Sequence, residues 1–271
     1  VSTQSTGECS SSVQQTDNKD TENYFHIETD KYKDYQEFIQ QLRKSGVESM
    51  RFIIGIDFTS SNLVNGIEKQ ELHGLDYENP YMNVFQILWP VIQEFDDNGQ
   101  INAYRFGCAE SMDQKVVPLY QDKEVFNGID DLLTYYKLAV ENVEFYGPTT
   151  FTHMVNKCIQ IEEQSGGKQF IVCVLITDGD VSDPKLDAKS IEKATNYPIS
   201  FIGIGVGKGD FEIMKTFDDN LHGKFDNFQF VNLNEIQQIA NRHERPDLLF
   251  LTSLLNEIPD QFNSMKKLGY L

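Results

Sequence analysis

The sequence predicts an α/β protein with a doubly wound, mostly parallel central sheet and helices on both faces. Three observations predict this. Short apolar runs alternate with amphipathic stretches of helical period along most of the chain, as strand–helix–strand units require. The runs Phe52–Ile56 and Phe170–Ile176 carry no charge and do not alternate with polar residues, which is how strands buried on both faces read. The first run ends directly at Asp57 and the second, after Thr177, at Asp178, and open sheets of this kind place ligands at the carboxyl ends of their strands.

The elements follow in order. Residues 1–24 are rich in Ser, Thr, Gln and Asp with almost nothing apolar, so a disordered polar tail is expected, ahead of a single domain over 25–271. Tyr35, Phe38, Ile39 and Leu42 lie at helical spacing within Tyr32–Ser45, and Gly46 stops that helix. The first strand begins at Phe52. Asn79-Pro80 opens a helix running to about Phe95, with Pro90 expected to kink it. Asp96-Asp97-Asn98-Gly99 is a turn and Ile101–Gly107 a second strand. Helices are expected over Asp130–Val140 and Phe151–Gln164, the latter stopped by Gly166-Gly167. The strand Phe170–Ile176 precedes a helix over about Lys189–Asn196. Ile199–Val206 and Phe228–Val231 read as strands, with helix beyond them to about Leu255. Flanking helices thus precede and follow the sheet.

Composition narrows the function. A net charge of -19, from 42 acids against 23 bases, repels phosphate backbones and argues against nucleic-acid binding. It also disfavours anionic bilayers unless a metal bridges the two. No apolar run reaches the roughly 18 residues of a membrane span, and Val-Ser-Thr-Gln-Ser-Thr is not a secretory leader. The first residue is Val, so an N-terminal lipidation motif is not legible. Membrane association would need segments outside this sequence or a partner. Cys9, Cys108, Cys158 and Cys173 have no CxxC spacing. A reduced, intracellular protein is expected, in the cytoplasm or else in the nucleus or at the periphery of the plasma membrane.

Three loops carry the chemistry. In Asp57-Phe58-Thr59-Ser60-Ser61 a carboxylate is followed by hydroxyls at every second position, a set of hard oxygen donors suited to a hard cation. The same hydroxyls would equally satisfy turn amides. Tyr146-Gly147-Pro148-Thr149-Thr150 is a tight turn before a helix, where a threonine also serves as an ordinary N-cap. Thr177-Asp178-Gly179-Asp180 follows the most apolar strand. Two strand-end acids brought close together need a proton or a cation to coexist.

These loops resemble the metal-ion-dependent adhesion site of von Willebrand factor type A domains, built from DxSxS, a loop threonine and a strand-end aspartate. Leu72-His73, Asn79-Pro80-Tyr81, Phe106-Gly107 and Phe217-Asp218-Asp219 are similar to landmarks of the copine branch. Phe225–Val231 and Glu257-Ile258-Pro259 resemble the copine domain of plant RING-type ubiquitin ligases. The likeness covers about residues 30–260. It implies one bound ion, Mg²⁺ or else Ca²⁺ or Mn²⁺, held by Asp57, Thr59, Ser61, Thr149 and Asp178. It also implies a protein partner that offers a Glu or Asp carboxylate to that ion. Thr59 stands where the wider family often has Ser, and keeps the hydroxyl. Copines carry C2 domains before this module and the ligases a RING after it, and neither is visible here.

The expectation is a non-catalytic, divalent-cation-dependent protein-binding adaptor. Two alternatives remain: the substrate-recognition part of a ubiquitin-ligase-like or membrane-associated copine system, and a metal-dependent hydrolase. Ile202–Gly209 lacks the third glycine of a dinucleotide fingerprint, and Asp178–Lys189 lacks the Gly and Glu of an EF-hand. The histidines, His26, His73, His153, His222 and His243, sit in no catalytic motif and read as surface or structural. Asp180 reads as a solvated loop charge, and Phe211, Met214 and Phe217 as core.

Overall fold

The computed structural model describes residues 32–66, 70–96, 98–240, 244 and 246–271. The polar tail over 1–24 and the residues Cys9, His26 and His243 lie outside the described residues. Six strands form the path β3-β2-β1-β5-β6-β7, with β4 also paired to β2. The central strands are β1 (Arg51–Asp57), β2 (Gln100–Phe106), β5 (Ile171–Thr177), β6 (Ile199–Gly205) and β7 (Phe228–Asn232). All pair in parallel, so their carboxyl ends share one rim. Two short antiparallel strands, β3 (Val117–Pro118) and β4 (Val125–Asn127), close the β2 edge. Neither is predicted above, because two or three residues are too few to show a period.

The helices are α1 (Tyr35–Lys44), α2 (Pro80–Phe95), α3 (Ile129–Asn142), α4 (Thr152–Ser165), α5 (Pro184–Ala194), α6 (Glu212–Asn220), α7 (Leu233–Ala240), α8 (Pro246–Leu255) and α9 (Ile258–Lys267). Alternate side chains of each strand feed two cores, as the pleat requires. Phe52, Ile54 and Ile56 of β1 pack with α1, α2, α3, α7, α8 and α9. Ile53, with Cys173 and Leu175 of β5, packs with α4, α5 and α6 on the other face. None of the described helices is long and apolar enough to cross a membrane.

Local signals account for several helix boundaries. The Asn79 side chain accepts from Met82 N at 2.9 Å, with Pro80 in the first turn, and α2 continues through Pro90. Helix α5 starts at Pro184, earlier than the expected Lys189, because Asp183 caps it by accepting from Leu186 N. Phe211, Met214 and Phe217 are buried, as expected, on and beside α6. Helix α9 extends the helical tail past Leu255, with Phe262 and Met265 in the core.

Candidate metal centre

Strand register brings the site together. Ile56 pairs with Ile176, which sets Asp57 level with Thr177 and leaves Asp178 one residue further along the rim. Both acids are buried, at 0% and 1% exposure. Asp57 Oδ1 accepts from Thr59 N at 2.8 Å, which folds the first loop back over the strand end. A 3₁₀ turn over Ser60–Leu63 then places Ser61 beside Thr59, with the hydroxyl oxygens 2.9 Å apart. Ser61 Oγ donates to Asp178 Oδ1 at 2.9 Å, and Thr59 Oγ1 lies 3.4 Å from the same oxygen.

The second loop is stitched to the first by its backbone. Tyr146 N donates to Phe58 O and Gly107 O at 3.1 Å, and Tyr146 O accepts from Ser60 N at 2.9 Å. The Gly147–Pro148 peptide is cis. Thr149 Oγ1 then reaches Asp57 Oδ2 at 3.5 Å, while Ser182 N holds Thr149 O from the third loop at 2.9 Å. Neither Thr149 nor Thr150 caps α4, whose N-cap is Phe151 without a side-chain bond. Thr150 Oγ1 instead donates to Asp187 Oδ1, which also accepts from Phe151 N and Thr152 N. The N-cap alternative for these threonines is therefore not what the structure shows.

All five expected side chains, Asp57, Thr59, Ser61, Thr149 and Asp178, thus meet in one connected cluster from three loops. Burial is the largest influence on Asp57, followed by the charge of Asp178; together they push its carboxyl up to about 7 against donations from Thr177 and Thr59. Burial likewise holds Asp178 above the ordinary carboxylate range, partly offset by donations from Ser61 and Asn65. Two carboxyls strained toward protonation mark uncompensated negative charge. The donor set is two carboxylates and three hydroxyls, all oxygen, with no thiol or imidazole. Such a set fits a hard divalent cation. Among the described residues no group of three or more His, Cys, Asp or Glu side chains gathers for a metal, here or at any other place; this site has two acids and relies on hydroxyls for the rest.

Several supporting residues were not assigned from sequence. Thr177 Oγ1 donates to Asp57 Oδ2 at 2.7 Å. Asn62 Nδ2 donates to Thr59 O at 3.2 Å, and Asn65 Nδ2 to Asp178 Oδ2 at 2.9 Å. His73 is buried, with Tyr81 stacked on it at 3.9 Å between ring centroids. Its Nε2 faces Asp57 O at 2.9 Å and its Nδ1 faces Tyr136 Oη at 2.7 Å. A carbonyl only accepts, so Nε2 carries the proton and Tyr136 donates to Nδ1. Burial lowers the His73 pKa to about 3, keeping the ring neutral. Gly107 has φ +69°, and a Cβ there would lie 2.3 Å from Thr59 Cγ2. The third-loop segment with Thr177 and the Leu72-His73, Asn79-Pro80-Tyr81 and Phe106-Gly107 landmarks drew attention to some of these residues without giving their roles. Asp180 is not a solvated loop charge: its carboxylate accepts from Ile213 N and Met214 N, capping α6.

An open, mostly parallel sheet with oxygen donors gathered at its carboxyl rim is the arrangement that the resemblance to von Willebrand factor type A domains implies. The copine family profile matches residues 71–271. E3 ubiquitin-protein ligase RGLG3 of Arabidopsis thaliana is 33% identical over 257 residues, covering 89% of this chain and 70% of its own. The chain belongs to the copine family. Copine family protein 2 of Caenorhabditis elegans is 34% identical over 249 residues, 89% of this chain but 3% of its own length. E3 ubiquitin-protein ligase RGLG1 of A. thaliana is 33% identical over 278 residues, and this chain spans 57% of it. Among solved structures, proximal thread matrix protein 1 of the mussel byssus covers 76% of this chain and 47% of its own at 16% identity, with TM-score 0.46.

Proposed function

We propose that the protein is a non-catalytic binding module that engages a partner protein through one divalent cation, with Mg²⁺ as the ion. The observation that carries this reading is the convergence of two buried carboxyls and three hydroxyls, from three separate loops, on one rim. Asp57, Thr59, Ser61, Thr149 and Asp178 would hold the ion, directly or through water. A cation of octahedral preference has six positions, so five protein ligands leave one for a partner's Glu or Asp. The bound ion supplies positive charge at the recognition point of a chain that is otherwise at -19.

The rim residues support binding rather than turnover. His73, the histidine beneath the site, has both ring nitrogens engaged and is buried, so it is not placed to take a proton from a substrate. His153 Nε2 faces Asp113 O at 2.7 Å. The relatives named E3 ubiquitin-protein ligases favour one extension, in which the module recognises the substrate of a ligase-like system.

Two experiments test the proposal. Calorimetric titration with Mg²⁺ and Mn²⁺ should show one site that is lost in Asp57→Ala and in Asp178→Ala while both variants stay folded. Unchanged affinity in both variants removes the site. A pull-down with Mg²⁺, repeated in EDTA and with Asp57→Ala, should recover partners only in the first condition. Steady turnover of a phosphate ester that depends on Mg²⁺ and Asp57 would replace binding with hydrolysis.

A further inference from the structure

Nine large hydrophobic side chains are exposed among the described residues, and their placement is uneven. Leu63, Val64, Tyr77, Met112, Tyr146 and Leu186 lie in the 3₁₀ turn, in loops or at a helix start, in the segments at the carboxyl rim of the parallel strands. Scattered exposed apolar residues are ordinary on a protein surface, whereas concentration on one edge marks a contact surface. We propose that these side chains form a recognition collar that selects, on the partner protein, an acidic residue flanked by apolar ones. The inference rests on the metal-dependent binding proposed above and specifies what the partner presents.

The two most exposed members are fixed to metal-site residues. Val64, 62% exposed, directly follows the 3₁₀ turn that carries Ser61, and its N–H donates to Ser61 O at 3.0 Å. Tyr146, 52% exposed, pairs with Thr59 and is bound on both sides by Phe58, Ser60 and Gly107. Side chains held on an ordered backbone lose less entropy on binding than side chains on free loops. Tyr is also among the residue types that dominate interface energies.

Charge decides which flanks fit. A chain at -19 repels a partner segment rich in acids, so the bound ion is the point at which a carboxylate is drawn in. Further acids beside the bound one would add to that net repulsion. Apolar neighbours avoid that repulsion and bury the collar. The expected occupant is therefore an extended segment with a single acid between apolar residues, not an acidic run.

The test is selection of displayed peptides with a fixed central Glu and random flanks on the full chain, in Mg²⁺ and in EDTA. Aliphatic or aromatic residues should be enriched beside the Glu in Mg²⁺ only. For a selected peptide, the double variant Val64→Ser/Tyr146→Ser should bind at least tenfold more weakly, with Mg²⁺ affinity by calorimetry unchanged within about twofold. The conservative pair Val64→Leu/Tyr146→Phe should keep the preference. Mg²⁺-dependent peptides with random flanks would overturn the collar and leave the metal reading intact. Peptides captured equally in EDTA, or none captured, would overturn both. If the full chain instead binds phosphatidylcholine vesicles and Val64→Ser/Tyr146→Ser abolishes that, the collar faces lipid and the proposal fails.

Discussion

The apo site should behave as a proton trap whose effect on stability can be measured. Asp57 has an ordinary value of 3.8 and is pushed up to about 7 by burial and by Asp178. Its ionised form is therefore disfavoured in the folded state, and the metal-free fold carries that penalty above pH 7. The stability is recovered as pH falls through 7 toward 3.8, because the folded state then binds a proton that the unfolded state does not. The full penalty is about 4 kcal/mol at alkaline pH, of which about 2 kcal/mol is relieved between pH 8 and pH 5.5. His73 acts in the opposite direction, since its folded pKa of about 3 makes the unfolded chain the better proton acceptor below pH 6.5. Comparing wild type with Asp57→Asn cancels the His73 contribution, because both proteins contain it. Asn keeps an oxygen for Thr59 N, and Thr177 Oγ1 has Gly179 O as an alternative acceptor at 3.1 Å. Urea denaturation in EDTA should show wild type gaining about 2 kcal/mol more than Asp57→Asn on going from pH 8 to pH 5.5. Saturating Mg²⁺ at pH 8 should stabilise wild type and leave the variant unchanged. Identical pH dependence of the two metal-free proteins would refute the argument that Asp57 is a strained carboxyl.

Three further predictions follow from the shell around the ligands. Gly107→Ala must hold φ +69° and place a Cβ 2.3 Å from Thr59 Cγ2; a loss of about 2–4 kcal/mol in thermal unfolding is expected, with weaker Mg²⁺ binding, and an unchanged Tm would contradict it. His73→Phe keeps the stacking on Tyr81 but removes the closer partner of Asp57 O and of Tyr136 Oη, leaving them the longer contacts to Tyr81 Oη at 3.4 Å and Asn79 Oδ1 at 3.2 Å; about 1–2 kcal/mol should be lost in urea, together with Mg²⁺ affinity, and full stability would argue against His73 as a strut. Asp187→Ala removes the acceptor of Thr150 Oγ1, Phe151 N and Thr152 N at 2.7–3.0 Å; about 3 kcal/mol should be lost, with Asp187→Asn milder, and equal effects of the two would remove the charge from the explanation.

Much of the fold is legible from particular residues. Ile171–Thr177 and Arg51–Asp57 are recognisable because strands covered on both faces exclude charge over most of their length. Asn79-Pro80 and Gly166 mark helix ends because unpaired backbone groups there need a side-chain acceptor or a left-handed residue. The edge strands Val117–Pro118 and Val125–Asn127 are invisible for the opposite reason: their pairing with β2 is a tertiary contact with no local signature. The different partners of Thr149 and Thr150 have the same origin. Adjacent, chemically identical side chains are separated only by where Asp57 and Asp187 stand.

Residue type and spacing alone determined that two strand-end acids and a set of hydroxyls existed, since buried strands and hard-oxygen donors have distinct compositions. Which oxygens share a cage was decided by parallel register, which sets Asp57 level with Thr177 across 120 residues of chain. The neutral His73 strut and the Gly107 gap were likewise settled only in three dimensions. Their roles depend on atoms brought within hydrogen-bond or van der Waals reach by packing, and no sequence period encodes that.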